Sequence, residues 1–335
     1  MFSGAFCGAG RPEIFPPGRS FAKLFDRPFA GAYFPCMRKF FCAAAASLLA
    51  GLSTFASGGQ DGDSVEDPAA RIMLSQARGG NGDAILKVAV AYAAGDKGFP
   101  KDPQKAVFWW KKGADMGDAR SQNYLASAYL KGEGAPPNPG AAVELWEKAA
   151  SLEFPEAQYN LGVCAARGIG GGRDMQLAAR WWEKAAENGH PRAQYNLAAM
   201  FLNGFGVEKS AERGMRWLER AAESGDAEAQ TALAGFLFNG AGIAADKARA
   251  AKLWESAAVR GVAFAAKNLA KMYLFGDGVE KDPAKFAKWT KVAADLGDAE
   301  SMYNISIAYK NGDGVEKSAE DAEYYMKKFK EASGR

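Results

Sequence analysis

Apolar positions recur along residues 67–332 with two superposed periods. Within short segments they follow the i, i+3, i+4, i+7 spacing of one helix face. Phe286, Trp289, Val292, Ala293 and Leu296 form one such set, which predicts an amphipathic helix packed inward along that face. Over longer distances the whole pattern returns every 36 residues. Asp102, Asn138, Asp174, Ser210, Asp246, Asp282 and Ser318 fall in step, as do Trp109, Leu145, Trp181, Trp217, Leu253, Trp289 and Tyr325. A period in the thirties marks a repeat array.

Each repeat carries its own punctuation. Gly168, Gly204, Gly240, Gly276 and Gly312 follow apolar helical segments, where glycine supplies the left-handed conformation that closes a helix. Asp282 then offers a capping carboxylate and Pro283 a preset φ without a wasted N–H, so a second helix begins there. Glycine ends this helix too, at Gly117, Gly189, Gly225, Gly261 and Gly297, and a capping Asp often follows, as at Asp118, Asp226 and Asp298. The repeat is therefore a helix pair. Paired alanines at 149–150, 185–186, 221–222, 257–258 and 293–294 leave room for close helix contact opposite the bulky residues. Trp109, Trp181, Trp217 and Trp289 are accordingly assigned to the core. No single pair can bury its apolar face alone, whereas a stack can.

Seven such units are predicted over 83–332, preceded by a lone capping helix at 67–80. The first unit has a loop one residue longer than the others, at Lys97–Lys101. The last helix carries Tyr325 in the Trp register and the charged residues Lys327, Lys328 and Lys330, as expected of a terminal face turned to water.

The segment before the array differs in kind. Residues 37–56 have the order of an export signal: Arg38 and Lys39, an apolar run from Phe40 to Phe55, and small residues at Thr54, Ala56 and Ser57. The alternative is an uncleaved inner-membrane anchor at 40–55, although the run is short for a span of about 20 residues. Met37 stands directly before the basic pair, so residues 1–36 are expected to be an extension upstream of the true start or a disordered leader. Residues 57–66 read as a linker.

Charge and cysteine content follow this division. The chain of 335 residues has a formal charge of +3, but residues 57–335 hold 36 basic against 37 acidic side chains. No basic cluster of the kind that displaces counterions from a nucleic acid is present. Of Cys7, Cys36, Cys42 and Cys164, only Cys164 would survive cleavage of the signal, so no intramolecular disulfide is expected. Cys164 shares its register with Ala128, Met200, Phe236, Met272 and Ala308, a buried apolar position.

The segments AQYNLG (157–162), GDGVEKD (276–282) and WWEKAAENG (181–189) resemble the Sel-one-like repeat, a relative of the tetratricopeptide repeat, over roughly residues 67–332. The resemblance implies an all-α, right-handed α-solenoid acting as an adaptor that holds a protein or peptide partner on its concave face. A secreted, cysteine-rich branch of the family is penicillin-binding with weak β-lactamase activity, but this chain lacks the paired cysteines. The resemblance further implies that the first helices line the groove. The candidate partner-binding residues there are Asn123, Tyr159, Asn160, Tyr195, Asn196, Lys267, Asn268, Tyr303 and Asn304. Their amides and phenols suit peptide recognition; the alternative is that the Asn residues stitch adjacent repeats together.

Little else suggests chemistry. The one histidine, His190, precedes Pro191 where other repeats place a capping Asp. One histidine and one mature cysteine do not build a usual metal site, and the GIGGGR run at 168–173 lacks the Lys-Ser/Thr pair and the preceding strand of a phosphate loop. No catalytic residue, metal or cofactor is expected. The expected protein is a periplasmic or secreted scaffold with no transmembrane segment after cleavage. The alternatives are a β-lactamase-like or cell-wall-peptide-binding protein and a purely structural assembly module.

Overall fold

A computed structural model describes residues 65–334. The segments read above as upstream extension and export signal, with most of the linker, lie outside them. Fifteen helices and no strand occur among the described residues, arranged as stacked hairpins of an all-α repeat fold.

These residues fall into two compact units, 65–137 and 138–334. The first contains α1 (Pro68–Arg78), α2 (Gly82–Ala94), α3 (Pro103–Asp115) and α4 (Ala119–Lys131). Helix α1 lays Ala70, Leu74 and Ala77 inward and packs on α2. Ile85, Val88, Tyr92 and Trp109 form the centre of the unit. The long loop after α2 is fixed by an edge contact of Phe99 with Tyr92, 4.8 Å between centroids, and turns through Lys97 at φ 52°.

The second unit contains α5 (Pro139–Ser151), α6 (Pro155–Arg167), α7 (Met175–Glu187), α8 (Pro191–Asn203), α9 (Ala211–Glu223), α10 (Ala227–Asn239), α11 (Lys247–Val259), α12 (Ala263–Phe275), α13 (Pro283–Asp295), α14 (Ala299–Asn311) and α15 (Ala319–Ser333). Each helix packs on the next in sequence. The helix starts other than those of α6 and α12 are capped by side chains: Asp282 Oδ1 accepts from Lys285 N at 2.9 Å, and Ser210 Oγ from Arg213 N at 3.3 Å. At the other end of α8, Gly204 takes φ 77° and donates to Met200 O at 2.7 Å. Two residues on, a Cβ at Gly206 would sit 2.4 Å from Met175 O, so only glycine lets this loop lie against the start of α7.

Trp182 carries the interlock between paired helices. Its ring is 1% exposed and lies where a Cβ at Gly162 would approach within 2.4 Å, and its Nε1 donates to Tyr159 O at 3.2 Å. Trp254 repeats the bond to Thr231 O at the same distance. The side chains expected in the core separate here. Trp109 and Trp289 are buried, but Trp181 and Trp217 are only partly buried. Their sequence neighbours Trp182 and Leu218 fill the interior instead. A helix advances 100° per residue, so Trp182 and Leu218 face a different side of α7 and α9 from Trp181 and Trp217. Trp181 and Trp217 lie under Lys184 and Arg220 one turn on, at 4.8 and 4.9 Å. Leu296, expected on the inner face of α13, is also exposed, while Phe286, Trp289 and Ala293 are buried.

A second register joins one hairpin to the next. Gln194 Nε2 donates to Ala186 O and Gln230 Nε2 to Ala222 O, both at 3.1 Å; Gln158 makes a longer contact to Ala150 O, 3.5 Å. These carbonyls lie in the last turn of α5, α7 and α9 and already accept the backbone N–H of Glu153, Gly189 and Gly225, so each glutamine amide is a second donor to the same oxygen. At the end of the chain, α15 buries only Tyr325.

Trp182→Ala is expected to cost about 3–5 kcal/mol, the usual price of emptying a buried indole site. Trp181→Ala should cost less, about 1–2 kcal/mol, because its ring is only partly buried. Urea unfolding of the two variants separates these values; equal losses would refute the assignment.

Candidate functional site

Four first helices of the pairs, α6, α8, α12 and α14, carry most of the predicted partner-binding residues. The structure divides them by accessibility. Asn160, Asn196, Asn268 and Tyr195 are buried, at 8, 7, 1 and 5% exposure, whereas Tyr159, Lys267, Tyr303 and Asn304 remain partly exposed. Asn123, on α4, is also partly exposed. Burial of the three asparagines has a packing cause. A first helix lies between the second helix of its own pair and that of the preceding pair, which leaves a narrow outward strip.

At the α6–α8 end this strip is aromatic. The Tyr159 ring stacks on His190, 4.4 Å between centroids and 10° between planes, and the phenol shares a hydrogen bond with the Asn196 side chain one repeat on. Burial raises the phenol pKa. His190 Nδ1 accepts from Ala193 N at 3.1 Å and so caps α8. Burial lowers the imidazole pKa to about 4, which keeps that acceptor lone pair available. Arg192 Nη1 lies 3.3 Å from both Asp226 Oδ2 and Glu228 Oε2. Burial pushes the Asp226 carboxyl pKa up, against the pull of Arg192.

Toward α14 the strip is ionic. Lys267 Nζ lies 2.7 Å from Glu300 Oε2 and 3.5 Å from Asp298 Oδ2, and Lys271 Nζ lies 3.7 Å from Glu300 Oε1. Asn304 Oδ1 is buried without a hydrogen-bond partner. The sequence reading missed Arg192, Lys271 and the glutamine register. The glutamines were visible as a residue recurring at 122, 158, 194 and 230, and Arg192 with Glu228 as opposite charges one repeat apart.

Nothing along the strip assembles a catalytic group. Cys164 is buried, and desolvation raises its thiol pKa to about 12, so it stays protonated. Among the described residues, no group of three His, Cys, Asp or Glu side chains converges to hold a metal ion. No helix there is long and apolar enough to cross a membrane.

The Sel1 repeat family model matches residues 82–118, 119–154, 155–190, 191–226, 227–261, 263–298 and 299–333. The chain belongs to the Sel1 repeat family. A Sel1 repeat protein from Oxalobacter formigenes is 32% identical, with a TM-score of 0.65 and coverage of 82% of this chain and 79% of that one. A protective antigen present in uropathogenic Escherichia coli strains is 29% identical with a TM-score of 0.64, and the match covers 78% of this chain and 56% of the antigen. The ERAD-associated E3 ubiquitin-protein ligase component HRD3A of Arabidopsis thaliana is 36% identical over 69 residues, 21% of this chain and 10% of that protein. Sel1 repeat proteins are generally non-catalytic scaffolds for protein interaction.

The cap at His190 sets a pH dependence. The folded pKa lies below the ordinary 6.5, so the unfolded chain binds the proton more readily, and stability is lost as pH falls from about 6.5 toward 4. The shift corresponds to about 2–3 kcal/mol between pH 7 and pH 4.5. His190→Asn keeps a capping oxygen but does not titrate there. Its urea midpoint should fall less than that of the unaltered protein over this interval; parallel losses would rule out His190 as the cause.

Proposed function

We propose that the protein is an exported, non-catalytic adaptor that holds a protein or peptide partner along the first-helix strip, the concave face in tetratricopeptide-like arrays. One observation carries this reading. Tyr159, Lys267, Tyr303 and Asn304 are partly exposed on helices α6, α12 and α14, beside the buried Asn160 and Asn268. Rigid helices that present phenol, ammonium and amide groups offer contact area and hydrogen bonding at low entropic cost. Membership of a family of interaction scaffolds agrees with it. Export rests on Arg38, Lys39 and the apolar run Phe40–Phe55, and the destination proposed is the periplasm or the medium.

The chemistry of hydrolysis finds no support in His190, which is neutral and occupied as a cap, or in the protonated Cys164. Purified protein is expected to leave nitrocefin unhydrolysed.

The partner is to be captured by crosslinking in native cells, and the mature N-terminus sequenced from the same material. A terminus near Ser57 in the envelope or medium is expected. Tyr303→Ala with Lys267→Ala should abolish capture while helical circular dichroism is kept, although the variant also loses the Lys267 ion pairs with Glu300 and Asp298. Asn160→Ala, Asn196→Ala and Asn268→Ala together should lower stability by several kcal/mol, about 1–3 for each buried hydrogen-bonded group removed. Undiminished capture by the Tyr303 and Lys267 variant would move the binding face elsewhere, and a cytoplasmic protein beginning at Met37 would overturn export.

A further inference from the structure

The second helices of the larger unit carry another ordered surface. Arg180 on α7, Arg216 on α9, Lys252 on α11 and Lys288 on α13 occupy one register, 36 residues apart, and all four are exposed. A parallel row one turn earlier, Arg213, Arg249 and Lys285, is engaged by carboxylates: Arg213 with Glu183 of α7 at 3.4 Å, Arg249 with Glu219 of α9 at 3.8 Å, and Lys285 with Asp282 at 3.4 Å. The outer row is not engaged in this way. Among the described residues, Arg180, Lys252 and Lys288 have no carboxylate partner, and Arg216 has only Glu212 of its own helix at 3.6 Å, both side chains being well exposed.

Between α7 and α9 the outer row borders a notch of 450 Å³. Its floor is apolar, formed by the buried Ala179, Leu197 and Phe201, and its rim carries Arg180 and Arg213 together with Gln176, Glu183 and Glu208, of which Glu183 is paired with Arg213. The Arg213 guanidinium stands 4.0 Å from the centre of the Phe201 ring.

We propose that this row is a docking surface for an acidic helical segment of a partner protein, distinct from the first-helix strip. The cations recur once per repeat on α7, α9, α11 and α13, and carboxylates two turns apart on a helix recur at intervals of about 10.5 Å. Such a segment meets one cation per repeat and seats an apolar side chain in the notch. A continuous polyanion fits less well. It carries no apolar side chain to seat over Ala179, Leu197 and Phe201.

The probe is a fluorescein-labelled 22-residue helical peptide with Glu at every seventh position, Leu beside the central Glu and an Ala/Gln background, titrated with the full-length protein. The expected result is binding that weakens at least about tenfold from 50 to 300 mM NaCl, and about thirtyfold in R180Q/R216Q/K252Q/K288Q. The variant should keep its helical circular dichroism. The peptide with Gln for Glu should not bind. As a check free of any folding defect, R180E/R216E/K252E/K288E should bind the peptide with Lys for Glu. Absence of binding by the unaltered protein, equal binding of the Gln peptide, or equal binding by the variant overturns the proposal. So does tighter binding of phosphatidylglycerol vesicles that the variant loses, which would assign the row to a membrane surface.

Discussion

A hairpin of two thirteen-residue helices cannot shelter its own apolar face, and the packing of Trp182 shows how the next element resolves this. The indole needs an apolar bed and, because its N–H is buried, an acceptor. Gly162 leaves the bed by having no side chain, and the Tyr159 carbonyl is the acceptor. The same bond recurs at Trp254, so small residues on the first helix and indoles on the second are one device. An indole missing its carbonyl would retain its area but leave an unpaired donor in the interior.

The joints between hairpins obey a separate logic. Helices α5, α7, α9, α11 and α13 end without a left-handed glycine at the cap itself, and on the first three a last-turn carbonyl that already accepts a turn N–H is also met by a glutamine amide from the following hairpin. The buried glutamine thereby finds an acceptor for its own amide. The first-helix asparagines share this environment, and Asn196 engages Tyr159 of the repeat before it.

The helix-pair architecture was legible in the sequence because its signals are local. A cap such as Asp282 and a closing glycine such as Gly204 act on residues within one turn of themselves, and the 36-residue period multiplies a weak signal seven times. The tandem tryptophans were less legible. Trp181 and Trp182 both recur in register, and residue type alone does not tell which side of the helix faces the interior. The candidate strip was partly legible for the same reason. A register identifies equivalent positions, but whether Asn268 or Lys267 reaches solvent depends on how closely the flanking helices approach. The outer cation row needed the structure, because only the distances to Glu183 and Glu219 separate engaged cations from unengaged ones.

The glutamine joint does not run the length of the larger unit. Its register holds Ala266 on α12 and Met302 on α14, and at the last joint Lys267 and Lys271 meet Asp298 and Glu300 beside an apolar cluster of Ala287, Ala294, Met302 and Ile305. These ammonium groups are largely withdrawn from water, the Lys267 and Lys271 side chains being 12 and 10% exposed, so salt screens them only weakly. The two ends of the larger unit therefore join their hairpins by different chemistry, a neutral amide in one and a sheltered charge in the other.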